Sequence, residues 1–107
     1  MSSKKPIVSV IVRTFNEERW IAHSLNAIFT QEFDNFEVII VDNNSTDFTL
    51  DVARRFPIKE IVTIDKFLPG KALNDGIRNS SGEFIVCISA HCIPKDKYWL
   101  KKLHKHF

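Results

Sequence analysis

Nowhere in the 107 residues do apolar side chains run for the roughly 18 positions a membrane helix needs, which excludes a helical membrane span. MSSKKPIVSVIV does place lysines ahead of an apolar run, but Arg13 interrupts it after about six residues, too soon for a secretory signal. A cytoplasmic location is therefore expected, and the sequons at Asn43, Asn44 and Asn79 are read as chance matches. Cysteine is nearly absent: Cys87 and Cys92 are the only two, on what reads as one strand and its exit. That placement disfavours a strain-free disulfide, favours reduced thiols, and leaves a structural zinc site short of ligands. Cys87 is expected to point into the core. Charge of one sign is lacking too, with 15 Lys and Arg against 13 Asp and Glu, so nucleic acid is not an expected partner. Glycine is limited to Gly70, Gly76 and Gly82. None falls in RTFNEE, the turn where a dinucleotide fingerprint would stand, and no phosphate loop of the GxxxxGK[ST] type exists.

What the sequence does have is one globular core: 44% apolar residues and nine Phe in a length that suits a single domain over residues 1–107. IVSVIV, residues 7–12, reads as a strand buried on both faces. From Glu17 to Phe29 the positions of Trp20, Ile21, Leu25, Ile28 and Phe29 fit a helix, with Glu17 and Glu18 at the positive end of its dipole. FEVIIVD, 36–42, is a second buried strand. Ser45, Thr46 or Asp47 can cap a short helix carrying Phe48, Val52 and Phe56 on one face, which Pro57 ends. KEIVTI, 59–64, is a third strand, followed by a helix with Ala72, Leu73 and Ile77 that leaves at Gly82. FIVCIS, 84–89, is a fourth strand, and beyond Pro94 a last helix aligns Trp99, Leu100, Leu103 and Phe107, with His104 and His106 on its solvated side. Four βα units predict an α/β fold with an open, Rossmann-like parallel sheet and helices on both faces.

Ligands of such sheets bind outside the carboxyl ends of the strands. Those ends are Arg13 to Glu17, Asp42 to Asp47, Asp65 to Lys71 and Ser89 to Cys92, and polar residues concentrate in all four. Asp42 can accept an N–H from a nucleobase edge, or merely cap the helix that follows. Thr14, Phe15 and Asn16 beside it offer a stacking ring and polar contacts. A phospho-receiver domain shares the topology, but needs an acidic pair where Arg13 and Thr14 stand.

SVIVRTFNEE, EVIIVDNNSTDFT and PGKALNDGIRNSSGEFI, in this order and at these separations, resemble family 2 glycosyltransferases of the GT-A fold from about Val8 onward. The resemblance implies transfer of a sugar from a nucleoside diphosphate sugar of the UDP, dTDP or GDP type to a glycan or lipid-linked acceptor, with inversion, commonly in bacterial surface polysaccharide assembly. It implies a base pocket at Thr14, Phe15, Asn16 and Glu17, base contact at Asp42 with Asn43 beside it, and a ribose–diphosphate segment around Lys71, Asn74 and Gly76. Lys71 can equally be a solvated first-turn residue. The same resemblance implies that the 107 residues are the nucleotide-sugar-binding half, that the acceptor half and general base lie beyond Phe107, and that these residues alone are catalytically weak or silent. Any membrane association would be at the inner face, through segments not included here.

SAHCIP aligns with the strand end that carries the family's Asp-X-Asp metal motif, and Ser89, Ala90 and His91 replace it. A divalent cation, Mn²⁺ or Mg²⁺, is thus a cofactor whose carboxylates are missing. His91 can ligate a metal that bridges the diphosphate, can replace its charge or donate a hydrogen bond, or can simply bond a backbone carbonyl at the strand end. Ser89 can hold the ribose. The alternative class is a non-catalytic nucleotide-binding module or pseudoenzyme. The fourth strand, lacking its outer neighbour, is expected to self-associate or to be covered by the Trp99 helix.

Overall fold

The structure, a computed structural model, describes residues 6–64, 74, 76–78, 80–94 and 96–105. Strands β1 (Val8–Thr14), β2 (Phe36–Asp42), β3 (Glu60–Thr63) and β4 (Phe84–Ser89) form one sheet in the order β3-β2-β1-β4, and each neighbouring pair is parallel. Helices α1 (Ile21–Phe29), α2 (Thr49–Ala53) and α3 (Trp99–His104) accompany them, and Asn74 with residues 76–78 is also helical. No helix among the described residues is long and apolar enough to cross a membrane.

The period of two along the strands divides the core between two faces. Val8, Val10, Val12, Val38 and Ile40 point to one side, where α1 supplies Ile21, Leu25 and Ile28, α2 supplies Ala53 and α3 supplies Leu100. Ile11, Ile39, Val41 and Ile64 point to the other. There Gly76 lies so close that an added Cβ would stand 2.7 Å from Ile11 Cγ2, which places the 74–78 stretch over that face. The chain therefore steps from β1 to β2 to β3 beneath one layer and returns on the opposite face to the far side of β1. Its direction reverses between β1 and β4, the position at which sheets of this type open a crevice.

Several expectations need correction. The first helix starts at Ile21, not Glu17, and has no acidic residue in its first turn. The N–H groups of Asn16, Glu17 and Glu18 are instead taken by side chains of the β2–α2 loop and of Thr49, the first residue of α2. Phe48 is 66% exposed and does not share the buried face of Val52 and Phe56. Cys87 is exposed, because β4 is an edge strand and Val86 and Ile88 are the residues turned to the α1 and α3 side. Cys87 and Cys92 are both free thiols. His104 is half-buried, its ring 5.2 Å from that of Phe33 and 6.4 Å from that of Phe84, rather than solvated. Gly82 does not have a left-handed conformation; it needs to lack a Cβ because Ser9 N and Oγ would lie 2.6 Å from one. Ala72, Leu73, His106 and Phe107 lie outside the described residues.

Candidate functional site

Asp42 ends β2 with no exposed surface, beside Thr14, which is 3% exposed at the end of β1. The in-register pairing of Thr14 with Asp42 puts the hydroxyl within reach, and Thr14 Oγ1 donates to Asp42 Oδ1. Ser45 completes the shell: its Oγ donates to Asp42 Oδ1 at 2.6 Å and its N–H to Oδ2 at 2.8 Å. A buried carboxylate is tolerated because three donors replace its water.

Around this centre the β1–α1 and β2–α2 loops bond mainly to each other. Asn16 and Asn44 both adopt left-handed conformations (φ 50° and 53°), which asparagine accepts more readily than most residues. That turn presents Asn16 N–H to Ser45 Oγ at 2.9 Å and Asn16 Oδ1 to Thr46 N–H at 2.8 Å. Glu17 N–H donates to Thr49 Oγ1 at 2.7 Å and Glu18 N–H to Asp47 Oδ2 at 3.2 Å. Burial would raise the Asp47 carboxyl, but the Thr49 hydroxyl and N–H and the Glu18 N–H outweigh it and hold the group below the ordinary carboxylate range. Asn43 takes part through its backbone, donating to Thr14 O at 3.0 Å.

On the other side of β1, β4 delivers Ser89 opposite Arg13, and Ala90 N–H bonds Arg13 O at 2.9 Å. The chain then turns, with Cys92 N–H on Ser89 O at 2.9 Å, and Ser24 of α1 anchors the turn through its Oγ on Cys92 O at 2.9 Å. The turn exposes the His91 ring, which is fixed at both nitrogens: Nδ1 lies 3.1 Å from Glu17 Oε2 and Nε2 lies 3.3 Å from Ser89 Oγ. These are side-chain contacts, not the backbone carbonyl bond that a strand-end histidine could make.

Arg13, Thr14, Phe15, Glu17, Ser89 and His91 line a cleft of about 240 Å³ between the ends of β1 and β4. Phe15 stands 51% exposed there. Of the residues singled out in the sequence, Phe15, Glu17, Ser89, His91 and Thr14 thus meet at one opening, while Asp42 lies buried behind Thr14. Asn16 and Asn43 build the loop junction. Asn74 is exposed on its helical stretch and does not line the cleft, and Lys71 lies outside the described residues. Two contributors were named in the sequence without a role in binding: Arg13 within the first strand-end segment and Ser45 as a helix cap. Arg13 carries a charge at the end of an otherwise apolar strand, a detectable signal, whereas the role of Ser45 as hub depends on contacts that its sequence neighbours do not reveal.

Residues 9–107 match the family model described as Glycosyl transferase family 2. A Methanococcus voltae protein, dolichyl N-acetyl-alpha-D-glucosaminyl phosphate 3-beta-D-2,3-diacetamido-2,3-dideoxy-beta-D-glucuronosyltransferase, is 36% identical over 99 residues, covering 85% of this chain and 31% of the relative. The structure of S. aureus TarS 1-349 in complex with UDP superposes with a TM-score of 0.82 at 30% identity, over 92% of this chain and 31% of that one. The Pyrobaculum calidifontis mannosyltransferase PcManGT, in complex with GDP-Man and Mn²⁺, gives a TM-score of 0.82 at 30% identity, over 96% and 32%. The chain thus spans about a third of the length of each.

The end of β4 lacks the carboxylates that a hard cation such as Mg²⁺ takes, and offers the Mn²⁺ that accompanies GDP-Man in PcManGT only the imidazole of His91. A hard divalent ion takes several oxygen ligands, carboxylates foremost. Positions 89 and 91 offer a hydroxyl and an imidazole, and the cleft's carboxylate, Glu17, is engaged by His91. Among the described residues no three His, Cys, Asp or Glu side chains gather as a metal-binding group.

Proposed function

Because this chain belongs to glycosyl transferase family 2, we propose that it binds a nucleoside diphosphate sugar at the carboxyl edge of its sheet, as the donor-binding part of a transferase that passes the sugar to a glycan or lipid-linked acceptor. The observation that carries this reading is the convergence of Thr14, Phe15, Glu17, Ser89 and His91 on one cleft at the point where the strand order reverses. The chains it resembles hold UDP and GDP-Man, and UDP, dTDP and GDP are the candidate carriers here.

In this proposal the exposed ring of Phe15 stacks on the base, since an aromatic face is a sequence-tolerant platform. Asp42, with no exposed surface, holds the base-side wall through Thr14 and Ser45 and acts on the base through them. Ser89 reaches the ribose, with Lys71 and Asn74 expected to flank the ribose and diphosphate. Transfer is a single displacement: the acceptor hydroxyl oxygen bonds the anomeric carbon, the bond to the diphosphate oxygen breaks, the nucleoside diphosphate leaves, and the hydroxyl proton passes to a general base. One displacement inverts the anomeric centre. The proposal assigns that base, and the acceptor site, to the part of the relatives' length that these residues do not span. It places the enzyme on the cytoplasmic side, where nucleotide sugars serve surface polysaccharide assembly. The replaced metal motif favours one other reading, a nucleotide-binding module without transfer.

The test is amide chemical-shift titration of the labelled chain with UDP, dTDP and GDP. Shifts at Thr14, Phe15, Asp42 and Ser89 with at least one of the three are expected. If all three nucleotides leave those amides unmoved, the donor reading is wrong.

A further inference from the structure

We propose that Arg13, Ser89 and His91 grip the donor diphosphate directly, in place of a divalent cation, with Glu17 as the residue that positions His91. This rests on the donor reading above and extends it to the charge balance of the site.

A diphosphate carries negative charge on its terminal oxygens. Its oxygens need positive charge and hydrogen-bond donors, and a site without carboxylates for a hard cation must supply both from its own side chains. Arg13 and Ser89 are register partners on adjacent strands, so their side chains leave the sheet on the same face, and both line the cleft. A guanidinium there offers planar, paired donors that match phosphate oxygens. His91 stands at the same opening with its side chain 61% exposed, whereas the Glu17 side chain is 18% exposed. The carboxylate is thus the inner partner and the ring the outer one.

Glu17 Oε2 at 3.1 Å from Nδ1 fixes which nitrogen faces the ligand. In its doubly protonated form the ring donates Nδ1–H to Glu17 and Nε2–H to a phosphate oxygen. The Ser89 hydroxyl, 3.3 Å from Nε2, can turn its proton to the same anion or to the ribose. Two cations and a hydroxyl then converge where the Asp-X-Asp pattern would present two carboxylates and a metal. Two carboxylates and a divalent ion sum to zero, whereas Arg13, doubly protonated His91 and Glu17 sum to +1, so the diphosphate meets at least as much positive charge without a metal.

Calorimetric titration of the chain with UDP, dTDP and GDP and with uridine, thymidine and guanosine, each in EDTA and in Mn²⁺, tests this. In EDTA the nucleoside diphosphate that binds should do so at least about tenfold more tightly than its nucleoside, the gain expected from one or two hydrogen bonds to a charged group. Mn²⁺ should leave that ratio unchanged. His91→Ala and Arg13→Gln should each erase most of the gain without altering nucleoside affinity. His91 is exposed enough that its loss will not unfold the chain. Glu17→Ala should reduce the gain and also move the imidazole ¹⁵N signals of His91 in the absence of ligand, which a purely structural role would not do. The double variant Ser89→Asp, His91→Asp should make the gain depend on Mn²⁺. A gain seen only with Mn²⁺ in the unaltered chain overturns the inference and leaves the donor reading intact. Equal affinity for nucleoside and diphosphate also overturns it, leaving only a base pocket. No binding by any of the six compounds removes both.

Discussion

At Asp42 a single carboxylate serves the fold and the site together. It is fully buried and receives the Thr14 hydroxyl, the Ser45 hydroxyl and the Ser45 N–H. In Asp42→Asn one oxygen can still accept, but the new NH₂ group faces at least one donor that has lost its acceptor. An unsatisfied buried donor costs about 1–3 kcal/mol. Asp42→Asn is therefore expected to lower the unfolding free energy by that amount, read as a lower urea midpoint at unchanged slope, and to abolish nucleotide shifts at Thr14 even where the variant remains folded. Thr14→Val loses one donor and leaves the Ser45 pair, so it should cost less than Asp42→Asn. A Thr14→Val midpoint below that of Asp42→Asn would place the hub at the threonine instead. The base-contact role expected of Asp42 in the sequence reaches the ligand, on this geometry, across a wall that Asp42 itself holds up.

Among the elements, the strands were the legible part. β4 spans residues 84–89 as its apolar pattern implies, and β1 and β2 are legible because strands buried on both faces leave near-continuous runs of Val and Ile. Helix starts were less legible. The N–H groups of the β1–α1 loop are capped by Ser45, Asp47 and Thr49, about 30 positions away, and no local pattern encodes a partner at that distance. The same holds for the site: its residues could be gathered by the strand-end rule, but burial of Asp42 and the pairing of Glu17 with His91 required the fold. Gly82 gives a test at this scale. An added methyl would meet Ser9 N and Val8 C, backbone atoms of a central strand that cannot yield, at 2.6 and 2.8 Å. At Gly76 the nearest atom is Ile11 Cγ2 at 2.7 Å, a methyl on the Cβ of a buried strand residue that yields only by a change of rotamer, while alanine in place of a helical glycine regains about 1 kcal/mol of propensity. Overpacking costs about 1–3 kcal/mol, so Gly82→Ala should approach the upper figure while Gly76→Ala, with that propensity offset, should cost less than Gly82→Ala. Denaturant midpoints of the two variants check the order, and a more stable Gly82→Ala would refute the close approach.

Across the whole molecule, the edge opposite the cleft is tied by one carboxylate, Glu37. Its side chain is 9% exposed. Ser9 Oγ of β1 donates to it at 2.5 Å, Ser81 N–H and Oγ, just before β4, at 2.6 and 2.9 Å, and Lys59 Nζ, just before β3, approaches to 2.9 Å. With Glu37 itself on β2, all four strands converge on this group. Burial favours its neutral form, but the four donors outweigh that and lower its pKa from an ordinary 4.5 to about 2. A carboxyl whose folded pKa is depressed contributes stability that is complete above its unfolded pKa and is lost as pH falls through the folded one. The window is therefore pH 4.5 down to about 2, and the shift corresponds to about 3 kcal/mol. Glu37→Gln should be less stable than the parent by up to about that amount at neutral pH, with the difference shrinking as acid is added and vanishing near the folded pKa. Because Asp47 and the other carboxyl groups are present in both proteins, their contributions cancel in the difference. Urea unfolding of the pair between pH 7 and pH 2 measures it. A gap that stays constant across that range would mean that Glu37 contributes through packing and neutral hydrogen bonds, and that the four strands are not joined through its charge.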